Sequence, residues 1–117
     1  MELTVSEFKT SIFDYDTEEF KNSKPVMVDL FTDWCPTCKV LNKPLDILAN
    51  KYKTMDIIKV NITEADALAS ALDIRGVPTF LFFKPGNNKP IKTLVGGTLV
   101  SIENAIKEFV QGENKNE

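Results

Sequence analysis

Two thiols are the groups in this 117-residue chain best suited to chemistry, and they stand together as Cys35-Pro36-Thr37-Cys38. A Cys-x-x-Cys pair in a chain that alternates strands and helices is typical of a redox motif. The first thiol, at the start of a helix, would meet unpaired N–H groups and a dipole that favour a thiolate. The second would lie one turn later on the same face. We therefore expect an exposed nucleophile, Cys35, and a more buried resolving thiol, Cys38.

The composition excludes several other kinds of site. The chain has no histidine, which rules out Ser-His-Asp catalysis, Cys-His catalysis and histidine-ligated metals. Two cysteines cannot form a four-thiolate zinc site within one chain. A net charge of -3 provides no basic face to neutralise phosphates, so we expect no nucleic-acid partner.

The hydrophobic segments are short. The longest apolar run, residues 80–83, is far below the ~20 residues that a membrane helix needs, so we expect no membrane span. The N-terminal residues show no basic segment followed by an apolar one, as a secretory signal would. These features favour a cytoplasmic protein, or an extracytoplasmic one from which a signal has been removed.

The elements that position the cysteine pair follow from apolar patterns. Residues 25–31 are nearly all apolar, which predicts a buried strand that ends just before the pair and contains one unexplained acid, Asp29. Apolar side chains recur at helical spacing from Cys35 to about Lys51, so one helix, kinked at Pro44, should carry both cysteines. Further strands are predicted at residues 55–60, 79–83 and 91–95, and the last two should form a hairpin.

Three further helices complete the predicted order. Capping-box patterns at residues 4–7 and 63–66 should each open one, and the last helix carries an apolar stripe that Gly112 should end. The sequence of elements predicts an α/β fold in which helices cover both faces of one central mixed sheet. Residues 1–111 would form a single domain, and residues 112–117 would form a polar C-terminal tail.

Several stretches resemble the thioredoxin family. Residues 24–39, Lys-Pro-Val-Met-Val-Asp-Leu-Phe-Thr-Asp-Trp-Cys-Pro-Thr-Cys-Lys, are similar to its active-site strand and helix. Their Asp-Trp-Cys-x-x-Cys-Lys form is especially similar to the C-terminal domain of bacterial thiol:disulfide interchange proteins. The run Arg75-Gly76-Val77-Pro78-Thr79 matches the family's cis-proline loop. Residues 58–62 and 94–97 also fall where the family has counterparts, so the resemblance extends from about residue 24 to residue 110.

The resemblance implies a thioredoxin fold and a thiol:disulfide oxidoreductase that reduces protein disulfides. Cys35 would attack a substrate disulfide, and Cys38 would resolve the mixed disulfide. Asp29 would lie beneath the pair and exchange a proton with Cys38, which would explain a carboxylate in a buried strand. Lys59 would pair with Asp29. The Cys35–Cys38 disulfide would be the only redox group, with no other cofactor and no metal.

The resemblance also implies a substrate-binding surface and partners. The Val77–Pro78 bond would be cis, and the backbone of Val77 would pair with an extended substrate as an added strand. Substrates would be disulfide-containing proteins and electrons would come from a reductase. The chain would act as a monomer in electron transport and cell redox homeostasis. The residues expected to contact substrate are Trp34, Pro36, Thr37, Gly76, Val77, Pro78, Val95 and Gly96.

The residues between the cysteines depart from the usual thioredoxin pattern. Pro36-Thr37 replaces Gly-Pro, and neutral Thr37 stands where strongly oxidising relatives carry a histidine, so the resemblance favours the reducing direction. Other interpretations stay open. The chain could be an extracytoplasmic disulfide reductase or electron-relay domain. It could also be non-enzymatic: a metal or iron–sulfur carrier that joins two chains through their cysteine pairs, or a structural subunit.

Overall fold

A computed structural model describes the backbone of residues 1–114 and the side chains of residues 1–111. The sequence correctly predicts the positions of the three longest strands and of the helix that carries the cysteine pair. The elements in chain order are β1 (Glu2–Leu3), α1 (Val5–Ser11), β2 (Phe13–Asp14), β3 (Glu19–Phe20), β4 (Val26–Phe31), α2 (Pro36–Lys51), β5 (Asp56–Asn61), α3 (Asp66–Ala71), β6 (Thr79–Phe83), β7 (Lys92–Val95) and α4 (Leu99–Asn114).

Five strands form one mixed sheet in the order β1-β5-β4-β6-β7. β4 is the central strand, which explains its nearly continuous apolar sequence, because a strand covered on both faces is buried on both. It pairs with β5 in parallel and with β6 antiparallel, so that Asp29 lies between Lys59 and Phe80. β2 and β3 form a separate two-stranded hairpin.

Helices cover both faces of the sheet, as the sequence predicts. Alternate residues of β4 point to opposite faces. Val28 and Leu30 belong to a core cluster that includes Phe8 of α1 and Leu68 of α3. Met27 belongs to a second cluster, formed with the apolar faces of α2 and α4. Asp29 is two residues from Met27 and therefore lies on the α2 face, beneath the helix that carries the cysteines.

Only one of the two predicted capping boxes forms. Thr4 caps α1 and exchanges hydrogen bonds with Glu7 in both directions. The second prediction is wrong, because α3 begins at Asp66 without a side-chain cap. The hydroxyl of Thr63 accepts a hydrogen bond from the Asp33 N–H at 2.9 Å and donates to Asn61 Oδ1 at 2.6 Å. Thr63 thus ties the loop after β4 to the end of β5 instead of opening a helix.

The predicted end of the last helix is also wrong. α4 continues through Gly112 to Asn114, because a helical glycine costs only about 1 kcal/mol and the preceding turns are packed into the core. Of the predicted tail, residues 115–117 lie outside the described residues. The two-residue strands β1, β2 and β3 escape prediction, since two residues are too few to show a period of two.

Candidate active site

The sheet brings three loops to one end of the molecule. β4 runs toward the cysteine pair, and its Leu30 lies opposite Thr79, the first residue of antiparallel β6. Thr79 in turn lies opposite Val95, the last residue of β7. The loop after β4, the loop before β6 and the loop after β7 therefore meet at the same sheet edge. These loops and the first turn of α2 contain both expected catalytic cysteines and most of the expected substrate-contacting residues.

The two cysteines form a disulfide at the start of α2. Cys35 is the N-cap residue, and its Cα lies 5.2 Å from that of Cys38. Pro36 occupies the first helical position, where a missing N–H costs nothing. The N–H of Cys38 donates to Cys35 Sγ at 3.1 Å. A donor aimed at a sulfur favours its charged form, so the same contact would stabilise a thiolate on Cys35 in the reduced pair.

The expected difference in exposure between the two cysteines is wrong for the disulfide form. Cys35 is 5% exposed and Cys38 is 7% exposed, because the bond holds the side chain of Cys35 against the first turn of α2. The asymmetry lies in what surrounds each sulfur. Cys38 lines a cleft of about 230 Å³ together with Asp29, whereas Cys35 caps the helix.

Asp29 is a buried carboxyl group beside Cys38. The residue is 4% exposed, and its Oδ1 has no hydrogen-bond partner among the side chains and backbone that the structure describes. Burial disfavours the carboxylate and raises the pKa of Asp29 to about 7, while the positive charge of Lys59 acts in the opposite direction. A carboxyl group with a pKa near neutrality is suited to exchange protons with a thiol at physiological pH.

The expected pairing of Lys59 with Asp29 is wrong as a direct contact. Lys59 is buried next to Asp29 in the sheet register, but its ammonium points to α2. It donates to the backbone oxygen of Asn42 at 2.9 Å, to Asn42 Oδ1 at 2.6 Å and to Asp46 Oδ1 at 2.8 Å. Because these hydrogen bonds of the ammonium all go to α2, Lys59 acts on Asp29 only through its positive charge.

The loop that carries Trp34 is anchored at its base and exposed at its tip. Asp33 Oδ1 accepts a hydrogen bond from the side-chain amide of Asn61 at 2.7 Å. The indole of Trp34 is 65% exposed, and Pro36 and Thr37 are also exposed. The exposed indole therefore leaves an apolar surface beside the disulfide.

The loop before β6 is held tightly against β7. The Val77–Pro78 peptide bond is cis, and Thr79 Oγ1 donates to the backbone oxygen of Gly76 at 2.5 Å. A Cβ at Gly76 would lie 3.4 Å from a methyl group of Val95, an ordinary van der Waals distance, so this loop packs directly against the end of β7.

The loop after β7 completes this edge. The N–H of Gly96 donates to the backbone oxygen of Pro78 at 2.7 Å, and Gly96 adopts a positive φ of 68°, which favours glycine. Val95 is exposed beside the cis-proline loop. The site residues expected from the sequence are thus gathered at one sheet edge, except Asp29 and Lys59, which lie beneath it.

Two residues near the site were not among those predicted. Asn42 and Asp46 hold the ammonium of Lys59, and Asn42 also lines the cleft that contains Asp29 and Cys38. The spacing of Cys38, Asn42 and Asp46 is four residues at each step, which places all three along one face of a helix. That spacing is the signal in the sequence from which they could have been found.

Residues 2–110 match the model of the protein family described as Thioredoxin. The match spans the strand, the cysteine pair, the cis-proline loop and the helices that support them. The chain belongs to the thioredoxin family. Members of this family that carry a Cys-x-x-Cys pair at this position are thiol:disulfide oxidoreductases, and so is this chain.

Sequence and structure comparisons agree on the family. A thioredoxin from Borreliella burgdorferi is 33% identical over 112 residues, which cover 92% of this chain and 94% of that protein. Thioredoxin f2 of Chlamydomonas reinhardtii shares the fold, with a TM-score of 0.75 over 92% of this chain and 94% of that chain at 24% identity. A chain in the solved complex of ferredoxin:thioredoxin reductase with thioredoxin f2 has a TM-score of 0.74 at 28% identity, covering 92% of each chain.

These findings place the chain in the thioredoxin family but do not assign it to one subfamily. The likeness of the active-site segment to thiol:disulfide interchange proteins stays a prediction. The carrier and structural-subunit alternatives gain no support. Among the described residues, no group of three or more aspartate, glutamate or cysteine side chains is placed to hold a metal ion. None of the described helices is both long and apolar enough to cross a membrane.

Proposed function

We propose that this thioredoxin-family protein reduces the disulfides of other proteins, with Cys35 as the nucleophile and Cys38 as the resolving thiol. The observation that carries the proposal is the position of Cys35 as the N-cap of α2, with the Cys38 N–H donating to its sulfur. A sulfur in that position is favoured as a thiolate, and the thiolate is the form that attacks a disulfide.

The reaction transfers two electrons from the reduced pair to the substrate. The Cys35 thiolate attacks one substrate sulfur, the substrate S–S bond breaks, and the second substrate sulfur leaves as a thiolate that takes up a proton. Cys38 then loses its proton, and its sulfur attacks Cys35 in the mixed disulfide. The Cys35–substrate bond breaks, the substrate sulfur that was bound to Cys35 leaves as a thiolate and takes up a proton, and the Cys35–Cys38 disulfide forms.

Asp29 is the proton acceptor that we assign to Cys38. The two residues share one cleft, and burial raises the pKa of Asp29 to about 7. A carboxyl group with this pKa exists in both protonation states near neutral pH, so it can accept a proton from Cys38 and return it in the reverse reaction. In this proposal Lys59 contributes only its charge, because its ammonium is hydrogen-bonded to Asn42 and Asp46.

The surface around the disulfide suits an extended polypeptide. Trp34 and Val95 are exposed apolar side chains on either side of the site, and the short segment Gly76-Val77 precedes β6 beside them. We propose that the backbone of Val77 pairs with the substrate as an added strand, with Trp34, Pro36, Thr37 and Val95 contacting its side chains. Gly76, Pro78 and Gly96 would keep the backbone of this surface accessible.

A reductase must receive electrons from a donor. The solved complex of a structural neighbour with ferredoxin:thioredoxin reductase supports a donor protein that binds this chain and reduces the Cys35–Cys38 disulfide. A protein kept reduced in this way fits the cytoplasm, where thiols are maintained in the reduced form. We propose that it acts there as a monomer, which sedimentation of the purified protein would test.

The order of attack is tested by trapping. Cys38→Ser should accumulate a mixed disulfide between Cys35 and a substrate protein, because the resolving sulfur is missing while the attacking one remains. Cys35→Ser is the matched control and should trap nothing. The measurement is mass spectrometry of the adduct after non-reducing electrophoresis. Trapping by Cys35→Ser rather than Cys38→Ser would reverse the assignment, and turnover that persists in Cys35→Ala would refute it.

A further inference from the structure

Lys59 has three N–H donors on its ammonium, and all three acceptors found for them belong to one stretch of α2. They are Asn42 O at 2.9 Å, Asn42 Oδ1 at 2.6 Å and Asp46 Oδ1 at 2.8 Å. An ammonium group has only three protons to donate. The arrangement therefore leaves no donor for Asp29, although Lys59 is the residue directly across the sheet from it.

Among the described residues, Asp29 correspondingly has no hydrogen-bonded cation to stabilise a negative charge, and Lys59 acts on it only through its charge. Its Oδ1 is buried and has no hydrogen-bond partner among the described residues. A buried carboxylate normally persists only when it is paired with a cation or with several donors. The nearest cation in the sheet register, Lys59, is held on the helix side. Without that restraint, rotation of the flexible Lys59 side chain would bring the ammonium toward the unpaired Asp29 Oδ1.

We propose that Asn42 and Asp46 are positioning residues, which hold the Lys59 ammonium on α2 and so prevent it from forming an ion pair with Asp29. An unpaired Asp29 can accept the proton of Cys38, whereas an ion-paired carboxylate is a weaker base. This inference rests on the proposed role of Asp29. It assigns a function to two exposed helical residues that neither carry the redox chemistry nor line the substrate surface.

Other charged groups face Asp29 and Lys59 from the elements packed around them. β6, on the opposite side of β4, places Phe80 against Asp29 and has no ionisable side chain. Cys38 is in the disulfide and does not titrate in the oxidised protein. The remaining charged groups are Glu2 on β1, Asp33 after β4, Lys39 on α2 and the α-ammonium of Met1. These groups are the same in every variant compared below, so their effects cancel when the pKa of Asp29 is compared between variants.

The test is the pKa of Asp29 in the oxidised protein, followed by carboxyl ¹³C NMR between pH 4 and pH 9. The double variant Asn42→Ala/Asp46→Ala leaves only a backbone acceptor for Lys59, and alanine is favourable at exposed helical positions, so the fold should persist. We expect the pKa of Asp29 to fall by about one pH unit, a tenfold loss of proton affinity, as for a carboxyl group that gains a nearby cation. An unchanged or raised pKa would overturn the proposal.

A second background separates the restraint from the charge of Asp46 itself. In Lys59→Met, which removes the ammonium and keeps the length of the side chain, the same double substitution should shift the pKa of Asp29 by less than about 0.3. An equal fall in both backgrounds would overturn the proposal, because it would mean that Asp46 acts on Asp29 directly. Lys59→Gln is the substitute background if Lys59→Met does not fold.

A matched control comes from the other ion pair on α2. Glu103→Gln breaks the pair between Lys51 and Glu103, whose atoms are 2.7 Å apart, and should leave the pKa of Asp29 unchanged. A fall equal to that of the double variant would overturn the proposal. Since the titration involves no turnover, a protein that fails to trap substrates would refute the proposed reductase and still give a clear result here.

Discussion

Replacing Asp29 with asparagine should make the protein more stable, and by an amount that depends on pH. The pKa of the Asp29 carboxyl rises from 3.8 to about 7 because of burial. Between these pH values the folded state keeps a proton that the unfolded state has released. Folding therefore becomes less favourable as the pH rises from about 4 to about 7, and the loss is complete above about pH 7. Asparagine is similar in shape and does not ionise.

The magnitude follows from the difference between the two pKa values. One pH unit corresponds to 1.36 kcal/mol, so a rise from 3.8 to about 7 corresponds to about 4 kcal/mol of destabilisation at pH 8. At pH 4 the same group costs less than about 1 kcal/mol. The stability gained by Asp29→Asn should thus be larger at pH 8 than at pH 4 by about 3 to 4 kcal/mol.

The assay is urea unfolding of the disulfide-bonded protein at pH 4 and pH 8, with the free energy of unfolding extrapolated to water. Any constant effect of the amide drops out when the two pH values are compared. Glu64→Gln removes an exposed carboxylate and is the matched control, for which the gain should differ by less than about 0.5 kcal/mol. A difference below about 1 kcal/mol for Asp29→Asn would show that the carboxyl group is hydrated or paired, and would refute the reasoning.

Three further predictions concern the packing, the cap and the substrate surface. Leu45→Ala removes a fully buried side chain of α2 and should lower the free energy of unfolding in urea by about 2–5 kcal/mol. Ile47→Ala, at an exposed position of the same helix, is the control and should lower it by less than about 0.5 kcal/mol. Similar losses of stability in both variants would contradict the assigned buried and exposed faces of α2. Thr4→Ala removes the capping box of α1 and should cost about 1 kcal/mol in the same assay; no loss would contradict the contribution of the cap. Trp34→Ala should raise the KM for a protein disulfide about tenfold and leave turnover of a small aromatic disulfide nearly unchanged. An equal loss of activity with both substrates would show that the indole affects the chemical step rather than the binding of the protein substrate.

Much of the candidate site could be predicted from residues that are close in the sequence. The cysteine spacing, the apolar strand before it and the helix after it fix where Cys35 sits relative to the helix N-terminus. Pro36 at the first helical position agrees with this local geometry. Asp29 stood out because a charged residue interrupts a buried strand, and burial is what raises its pKa.

Contacts between distant segments could not be predicted in the same way. A capping-box pattern at residues 63–66 is locally favourable, yet Thr63 instead bonds the loop after β4, because that loop offers an N–H only in the folded protein. Lys59 has several acceptors within reach of its long side chain. Which one it binds depends on the rotation of α2 over the sheet, which places Asn42 and Asp46 above β5.

The sequence by itself determined the longer strands and the helices, their order in the chain and the identity of the reactive pair, since local periodicity and spacing encode these properties. The tertiary structure alone decided what surrounds each reactive group. It decided that both sulfurs are buried in the disulfide form, that Asp29 has an unpaired oxygen and that the neighbouring ammonium is bonded to the helix. These properties depend on which side chains meet across the sheet, and therefore on packing rather than on any short stretch of residues.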